Sequence, residues 1–138
     1  MTYTKTVSCE KSNLKVVREF VAGILQQHRI SDSEINMIVV AIDEVCANLI
    51  IHSHQCNKDE YIEIRIIEKA KGFMFEIRDQ GETFNISDYS VPSMDKIIKT
   101  KSSGGIGLIL VTRIMDSIQV DREGTFNVCR LFKSLSSS

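Results

Sequence analysis

Apolar positions recur along this chain with two periods, and the switches between them lay out the elements. Near the N-terminus Tyr3, Lys5 and Val7 alternate with Thr4, Thr6 and Ser8, the period-two pattern of a short strand. Leu14, Val17, Val21, Ile24 and Leu25 follow at helical spacing, behind Ser12 or Asn13 as the cap. Ser31-Asp-Ser-Glu34 has the form of a capping box and opens a longer second helix that runs to about Ser53. Alternation returns from Tyr61 to Glu68, with Ile62, Ile64 and Ile66 on one face and Glu63 and Arg65 on the other. It continues at Phe73, Phe75 and Ile77, and Ala70-Lys-Gly72 between the two runs predicts a hairpin turn. From Gln80 to Ser103 periodicity is weak and the chain carries its single proline, Pro92. A stretch that long without a pattern is usually functional or mobile. Ile106 to Met115 reads as a short apolar helix entered through glycines. A last hairpin joins Ile118–Asp121 to Thr125–Phe132 across Arg122-Glu123-Gly124.

This order predicts an α+β fold, a two-layer sandwich in which helices cover one face of a mostly antiparallel mixed sheet. With no internal repeat in 138 residues, a single domain is expected over 1–133, followed by a disordered tail over 134–138. A formal net charge of −1 gives no broad pull toward nucleic acid or an anionic membrane. No apolar run approaches membrane-spanning length and Met-Thr-Tyr-Thr-Lys is not a signal peptide, so a soluble, cytoplasmic protein is expected. Cys9, Cys46, Cys56 and Cys129 form no CxxC pair and read as reduced thiols. His52-Ser-His54-Gln-Cys56 offers several ligand types. On a continuing helix, however, the two histidines point about 200° apart, and no fourth ligand is near; the segment reads as a polar helix end. His28 reads as a capping or surface residue at the end of the first helix.

The second helix carries the first candidate chemistry. Glu44, Asn48 and His52 stand at i, i+4 and i+8, stacked along one face, while Ile38, Val39, Val40, Ile42, Val45, Leu49, Ile50 and Ile51 surround them. A carboxylate and an amide on so apolar a helix are costly unless something pairs with them, and a bound cation with its phosphates would do so. A solvent-facing polar stripe is the plainer reading. Two glycine-containing stretches add to it. Asp79-Gln-Gly81-Glu-Thr-Phe84 follows a strand end, where a carboxylate can accept a hydrogen bond from a ligand amine and a glycine lets a flat ring approach the backbone. It is also a common turn sequence. Ser103-Gly104-Gly105-Ile106-Gly107 leads into a helix whose free N–H groups suit phosphate, or it is a flexible joint. No Gly-x4-Gly-Lys-[Ser/Thr] occurs, and the glycines of a dinucleotide fold are incomplete.

In this order and spacing the three stretches resemble the Bergerat ATP-binding fold of the GHKL group, shared by gyrase, MutL and histidine kinases. Glu44-x-x-x-Asn48 resembles its N box, Asp79-x-Gly81 its G1 box and Gly105-x-Gly107 its G2 box, while Gly124-Thr125 fits the Gly-Thr of a late strand. The chain is most similar to the small serine kinases that act as bacterial anti-sigma factors. It shares with them Glu-x-x-x-Asn-x-x-x-His, Asp-x-Gly-x-x-Phe and a helix running into Met115-Asp116-Ser-Ile118. The resemblance covers nearly the whole chain.

The resemblance implies ATP and Mg²⁺ as cofactors. Asn48 would be the metal ligand and Glu44 the catalytic base. Asp79 would receive the adenine amine, with Gly81 making room for the ring. Thr125 would support Asp79 or a water beside it, and Gly104, Gly105, Ile106 and Gly107 would line the phosphates. His52 would have a structural or orienting role. The implied partners are a sigma factor and a STAS-type anti-anti-sigma protein, with a homodimer as the assembly. Several relatives carry an arginine just before the second glycine motif, where this chain has Lys101-Ser102-Ser103, and lysine lacks the bidentate fork of arginine. Two readings follow from this: a protein serine/threonine kinase, favoured by Glu44, and a nucleotide-switched partner-binding module with little or no transfer. A sensor histidine kinase or a gyrase-type ATPase fits less well, since no phosphoacceptor helix pair or second catalytic domain is evident.

Overall fold

The computed structural model describes residues 1–80 and 105–135. Strand β1 spans Thr2–Ser8, β2 Tyr61–Lys69, β3 Gly72–Asp79, β4 Ser117–Glu123 and β5 Phe126–Ser134. Helix α1 spans Asn13–Gln26, α2 Asp32–Ala47 and α3 Gly105–Ile114. The strands form one sheet in the order β1-β2-β3-β5-β4. Every pairing among the described residues is antiparallel, and the expected two-layer α+β architecture on a mostly antiparallel sheet holds.

The alternation read from the sequence is the layering. Ile62, Ile64 and Ile66 of β2, Phe75 and Ile77 of β3 and Leu131 of β5 are fully buried beneath the helices. Val17, Val21 and Leu25 of α1 meet them, as do Ile38, Ala41, Ile42, Val45 and Cys46 of α2. The opposite face carries Glu63, Arg65, Glu76, Arg78 and Arg130, joined by ion pairs such as Arg130 to Glu76 at 3.0 Å and Arg78 to Glu123 at 3.1 Å. Fully burying one large aliphatic side chain is worth about 1.5–3 kcal/mol. An exposed ion pair is worth about 0–1 kcal/mol. The apolar face therefore decides the fold.

Ser31 caps α2 as expected, its side chain accepting from the Glu34 N–H at 3.2 Å. Helix α1 starts differently. Ser12 has helical dihedrals and makes no cap bond. Asn13 turns its amide back to donate to the carbonyl and the hydroxyl of Ser8, each at 2.9 Å, tying the helix start to the end of β1. His28 closes the other end, its ring edge-on to Phe73 with centroids 5.0 Å apart and its Nδ1 3.2 Å from Glu68.

Beyond Ala47 the helix continues to Ser53 but widens into a π turn over Asn48–Ser53. Together these 22 residues have a window of mean hydropathy 1.6, long and apolar enough to cross a bilayer by length and composition. That corrects the expectation that no run reaches such a length; the apolar residues here pack against the sheet and α1.

Both hairpins are tighter than their sequences suggest. Lys69 pairs with Gly72, leaving Ala70-Lys71 as the turn, and Glu123 pairs with Phe126, leaving Gly124-Thr125. Arg122 and Glu123, expected in the turn, belong to β4, and Gly124 supplies the left-handed φ of 63°. At the C-terminus β5 runs through Ser134, and the Leu135 N–H still donates to the Lys71 carbonyl at 2.9 Å. Order therefore extends two residues into the expected tail, and residues 136–138 lie outside the described residues.

Gly72 is required at its position. A Cβ there would stand 2.1 Å from the Lys133 carbonyl oxygen and 2.9 Å from the Ser134 Cα, both backbone atoms of the neighbouring strand. Gly72→Ala is expected to lower the free energy of unfolding by about 1–3 kcal/mol. Urea denaturation measures it, and an unchanged midpoint would show that β5 yields freely.

Candidate functional site

Asp79 ends β3 on the same face as Phe75 and Ile77, so the sheet turns its carboxylate inward, where it is 2% exposed. Such a group needs a partner. His54, 3% exposed, supplies it, with Nε2 2.7 Å from Asp79 Oδ2. The other ring nitrogen, Nδ1, lies 2.8 Å from Oε1 of Glu60. Among the described residues no hydrogen bond reaches Asp79 Oδ1.

The local chain path explains how His54 arrives there. In the π turn the His54 N–H donates to the Leu49 carbonyl, five residues back, at 2.8 Å. The chain then reverses through Gln55 and Cys56, at φ 51° and 56°. Two consecutive non-glycine residues in the left-handed region are unfavourable by roughly 1–2 kcal/mol each. The Cys56 N–H bond to the Ile50 carbonyl at 2.8 Å helps to hold them. Asn57 N–H to the His54 carbonyl and Glu60 N–H to the Asn57 carbonyl bring Glu60 alongside the ring. The Glu60 carbonyl in turn accepts from the Cys9 N–H at 2.8 Å.

Burial alone would lower the His54 pKa, but hydrogen bonds to Glu60 and Asp79, with their charges, overcome it and hold the pKa above the usual histidine value. The thiols nearby behave oppositely. Burial, with Glu60, Asp79 and Cys56 adding to it, pushes Cys9 up to about 11. Burial, with Asp79, pushes Cys129 up to about 12. Buried thiols of this kind stay protonated at neutral pH.

Glu44 and Asn48 stand one turn apart on the half-buried edge of the helix. The Asn48 amide Nδ2 donates to the Glu44 carbonyl at 2.8 Å, which leaves Oδ1 with no hydrogen bond among the described residues. An oxygen so presented fits a hard cation such as Mg²⁺. The Glu44 carboxyl has no ion pair among the described residues. Burial, followed by the neighbouring Asp43 charge, raises its pKa, the direction that suits a proton acceptor. His52 is exposed.

Thr125 lies in the β4–β5 turn, and its hydroxyl accepts from Gln80 Nε2 at 3.1 Å. Asn127, which pairs with Asp79 across the strands, is buried, and its Oδ1 accepts from Arg122 at 2.9 Å. Gly105, Ile106 and Gly107 open α3, which packs on α2. Gly81 and Gly104 lie outside the described residues, as do Lys99, Lys101 and all the others from 81 to 104. The helix expected at Ile106–Met115 begins one residue earlier and ends at Ile114.

The fold thus brings Glu44 to Asn48 and joins Asp79 to the end of the same helix. His54 and Glu60 are the residues that sequence reasoning missed. The signal was present: Asp79 continues the inward parity of Phe75 and Ile77, and an inward carboxylate requires a donor.

Known proteins resemble this chain in sequence and in fold. The family described as "Histidine kinase-like ATPase domain" matches residues 7–133. The serine-protein kinase RsbW of Bacillus licheniformis is 26% identical over 109 residues, covering 76% of this chain and 68% of that protein. Its counterpart in Bacillus subtilis strain 168 is 21% identical over 126 residues, covering 88% and 79%. A solved structure of the RsbU and RsbW domains of a Mycobacterium tuberculosis protein superposes with a TM-score of 0.63 at 14% identity. It covers all of this chain, which spans 33% of that longer one.

The His54 contacts carry a pH signature. Because its folded-state pKa lies above the ordinary 6.5, the stability they contribute is full below that value and is lost as pH rises through the raised one. The difference in unfolding free energy between the wild type and His54→Gln is therefore expected to shrink as pH rises above 6.5. Denaturant titrations at several pH values measure it, and a constant difference would contradict the assignment.

Proposed function

The chain belongs to the histidine kinase-like ATPase family, and we propose that it is an ATP- and Mg²⁺-dependent protein serine/threonine kinase acting as an anti-sigma factor. It phosphorylates a STAS-type anti-anti-sigma protein and sequesters a sigma factor in the cytoplasm. The observation that carries this reading is the Glu44–Asn48 turn: a half-buried carboxyl with a raised pKa and no ion pair among the described residues, one helical turn from an amide whose oxygen is uncommitted. The relatives named as serine-protein kinases support it.

Phosphoryl transfer requires alignment, charge neutralisation and a positioned base. A bound Mg²⁺ supplies the neutralisation, and Asn48 is the residue that would hold it. Glu44 takes the proton from a serine hydroxyl of the partner as that oxygen attacks the γ-phosphorus of ATP and ADP departs. Asp79 would accept a hydrogen bond from the exocyclic amine of adenine, with Gly81 giving room for the ring. Gly104, Gly105, Ile106 and Gly107 would line the phosphates. Thr125 steadies the base end through its contact with Gln80.

The second reading, a nucleotide-switched binding module, is favoured by Lys101-Ser102-Ser103 where several relatives have arginine. Substitutions separate the two. Asp79→Asn and Asn48→Ala are expected to abolish Mg²⁺-dependent ATP binding by calorimetry. Glu44→Gln is expected to leave ATP affinity nearly unchanged and to slow transfer of labelled phosphate to the partner serine by about 10²–10⁴-fold. Wild-type protein that releases its partner on ATP binding without phosphorylating it would select the binding module.

We also propose a homodimer, since among the described residues β1 is an edge strand that pairs on one side only. Light scattering at micromolar concentration is expected to give twice the chain mass, and a monomer mass would contradict it.

A further inference from the structure

Among the described residues, the carboxylate assigned to the nucleobase is held on one oxygen only. His54 Nε2 lies 2.7 Å from Asp79 Oδ2 while Nδ1 lies 2.8 Å from Glu60 Oε1. A neutral imidazole has one N–H and one lone pair. Between two carboxylates it would set that lone pair against an oxygen, whereas the doubly protonated ring donates to both. The other titratable groups around this cluster are the thiols of Cys9 and Cys129, held protonated by burial, and Cys56. None of them replaces the ring as a donor to Asp79 among the described residues.

Held in this way, Asp79 has its plane fixed and its second oxygen kept as an acceptor. A buried carboxyl without a cationic neighbour is free to rotate and to carry a proton, and a protonated carboxyl donates where a carboxylate accepts. The distinction bears on specificity. Adenine offers an exocyclic amine at the position where guanine and hypoxanthine offer a carbonyl.

We propose that His54 is a positioning residue for nucleobase recognition: by donating to Asp79 Oδ2 and anchoring itself on Glu60, it presents Oδ1 as an obligate acceptor and so selects adenine over 6-oxopurines. This rests on the reading that Asp79 receives the base. On that reading His54 acts through Asp79 at the base end of the nucleotide, so its effect is expected on affinity and selectivity rather than on transfer itself.

The test is calorimetric titration of the full chain with ATP and with inosine triphosphate, from pH 6 to 9, in the wild type, His54→Gln and Asp79→Asn. In the wild type, ATP affinity is expected to hold at low pH and to fall as pH rises through the His54 titration. In His54→Gln the profile is expected to be flat, ATP affinity to drop on the order of tenfold, and the preference for ATP over inosine triphosphate to shrink by a similar factor. A purely structural histidine would weaken both nucleotides alike and leave their ratio intact. Nitrogen-15 NMR of the wild-type ring, expected to show both nitrogens protonated at neutral pH, keeps the proposal testable even if His54→Gln fails to fold. A neutral ring with a flat wild-type profile, or an unchanged nucleotide ratio in His54→Gln, overturns the proposal while loss of ATP binding in Asp79→Asn leaves the base-reading role standing. Asp79→Asn binding ATP as tightly as the wild type overturns that role, and the proposal with it.

Discussion

An inward-facing carboxylate at the end of the central strand is the constraint around which this end of the molecule is arranged. Asp79 shares its face with Phe75 and Ile77 and is nearly as buried as they are. Left alone it would oppose folding by several kcal/mol. The unusual features of the neighbouring chain, the π turn at Asn48–Ser53 and the left-handed Gln55 and Cys56, lie on the path that brings His54 and then Glu60 to it. Apolar residues of similar volume would hold the sheet end at least as well. Stability alone therefore does not account for three ionisable groups in this position, and the proposed function gives the remaining carboxylate oxygen a role.

The helix over Asp32–Ser53 meets two opposed demands. Its inner face must be apolar to cover the sheet, and Ile38, Ile42, Val45 and Leu49 meet that need. Its edge must present polar groups without burying them unpaired, and Glu44 and Asn48 stand there half-buried. Asparagine is a weak helix former because its side chain competes for backbone hydrogen bonds. Here that competition is put to use. The Nδ2 bond to the Glu44 carbonyl orients the amide, whose oxygen would take the cation on the proposed reading, at the residue where α winding gives way to π.

The sequence made the sheet legible because one face is buried and the other is charged, so a period of two could be read directly from Ile62, Ile64 and Ile66. The Ser31 cap was legible for a similar reason, since one side chain satisfies one backbone donor. Arg122 and Glu123 looked like turn residues because they are charged. Pairing to Arg130, and to Asn127 from Arg122, places them in an edge strand instead. Asn13 was read as a cap and serves as a tie to β1, a tertiary contact that no local pattern encodes. His54 was hidden by the assumption of uniform winding, because its position depends on a π turn and a chain reversal. The N-box and G1 motifs were readable as spacing, but the partner of Asp79 was not part of either motif. The family match supports the architecture across residues 7–133, and identities near one quarter leave such chain-specific contacts to geometry.

Asn48 opens the π segment and His54 follows its last residue. On the proposed reading the first would hold the metal and the second steadies the carboxylate that reads the base, so one short stretch of backbone serves both ends of the nucleotide. Its wide winding is held by bonds such as His54 N–H to the Leu49 carbonyl and Cys56 N–H to the Ile50 carbonyl, while Leu49 and Ile50 are locked in the core. A packed core has few alternative arrangements and transmits displacement rather than absorbing it. The spacing between metal ligand and base reader is therefore set by core packing, not by a flexible loop. That is the condition under which binding energy from the base can align a distant phosphate for transfer.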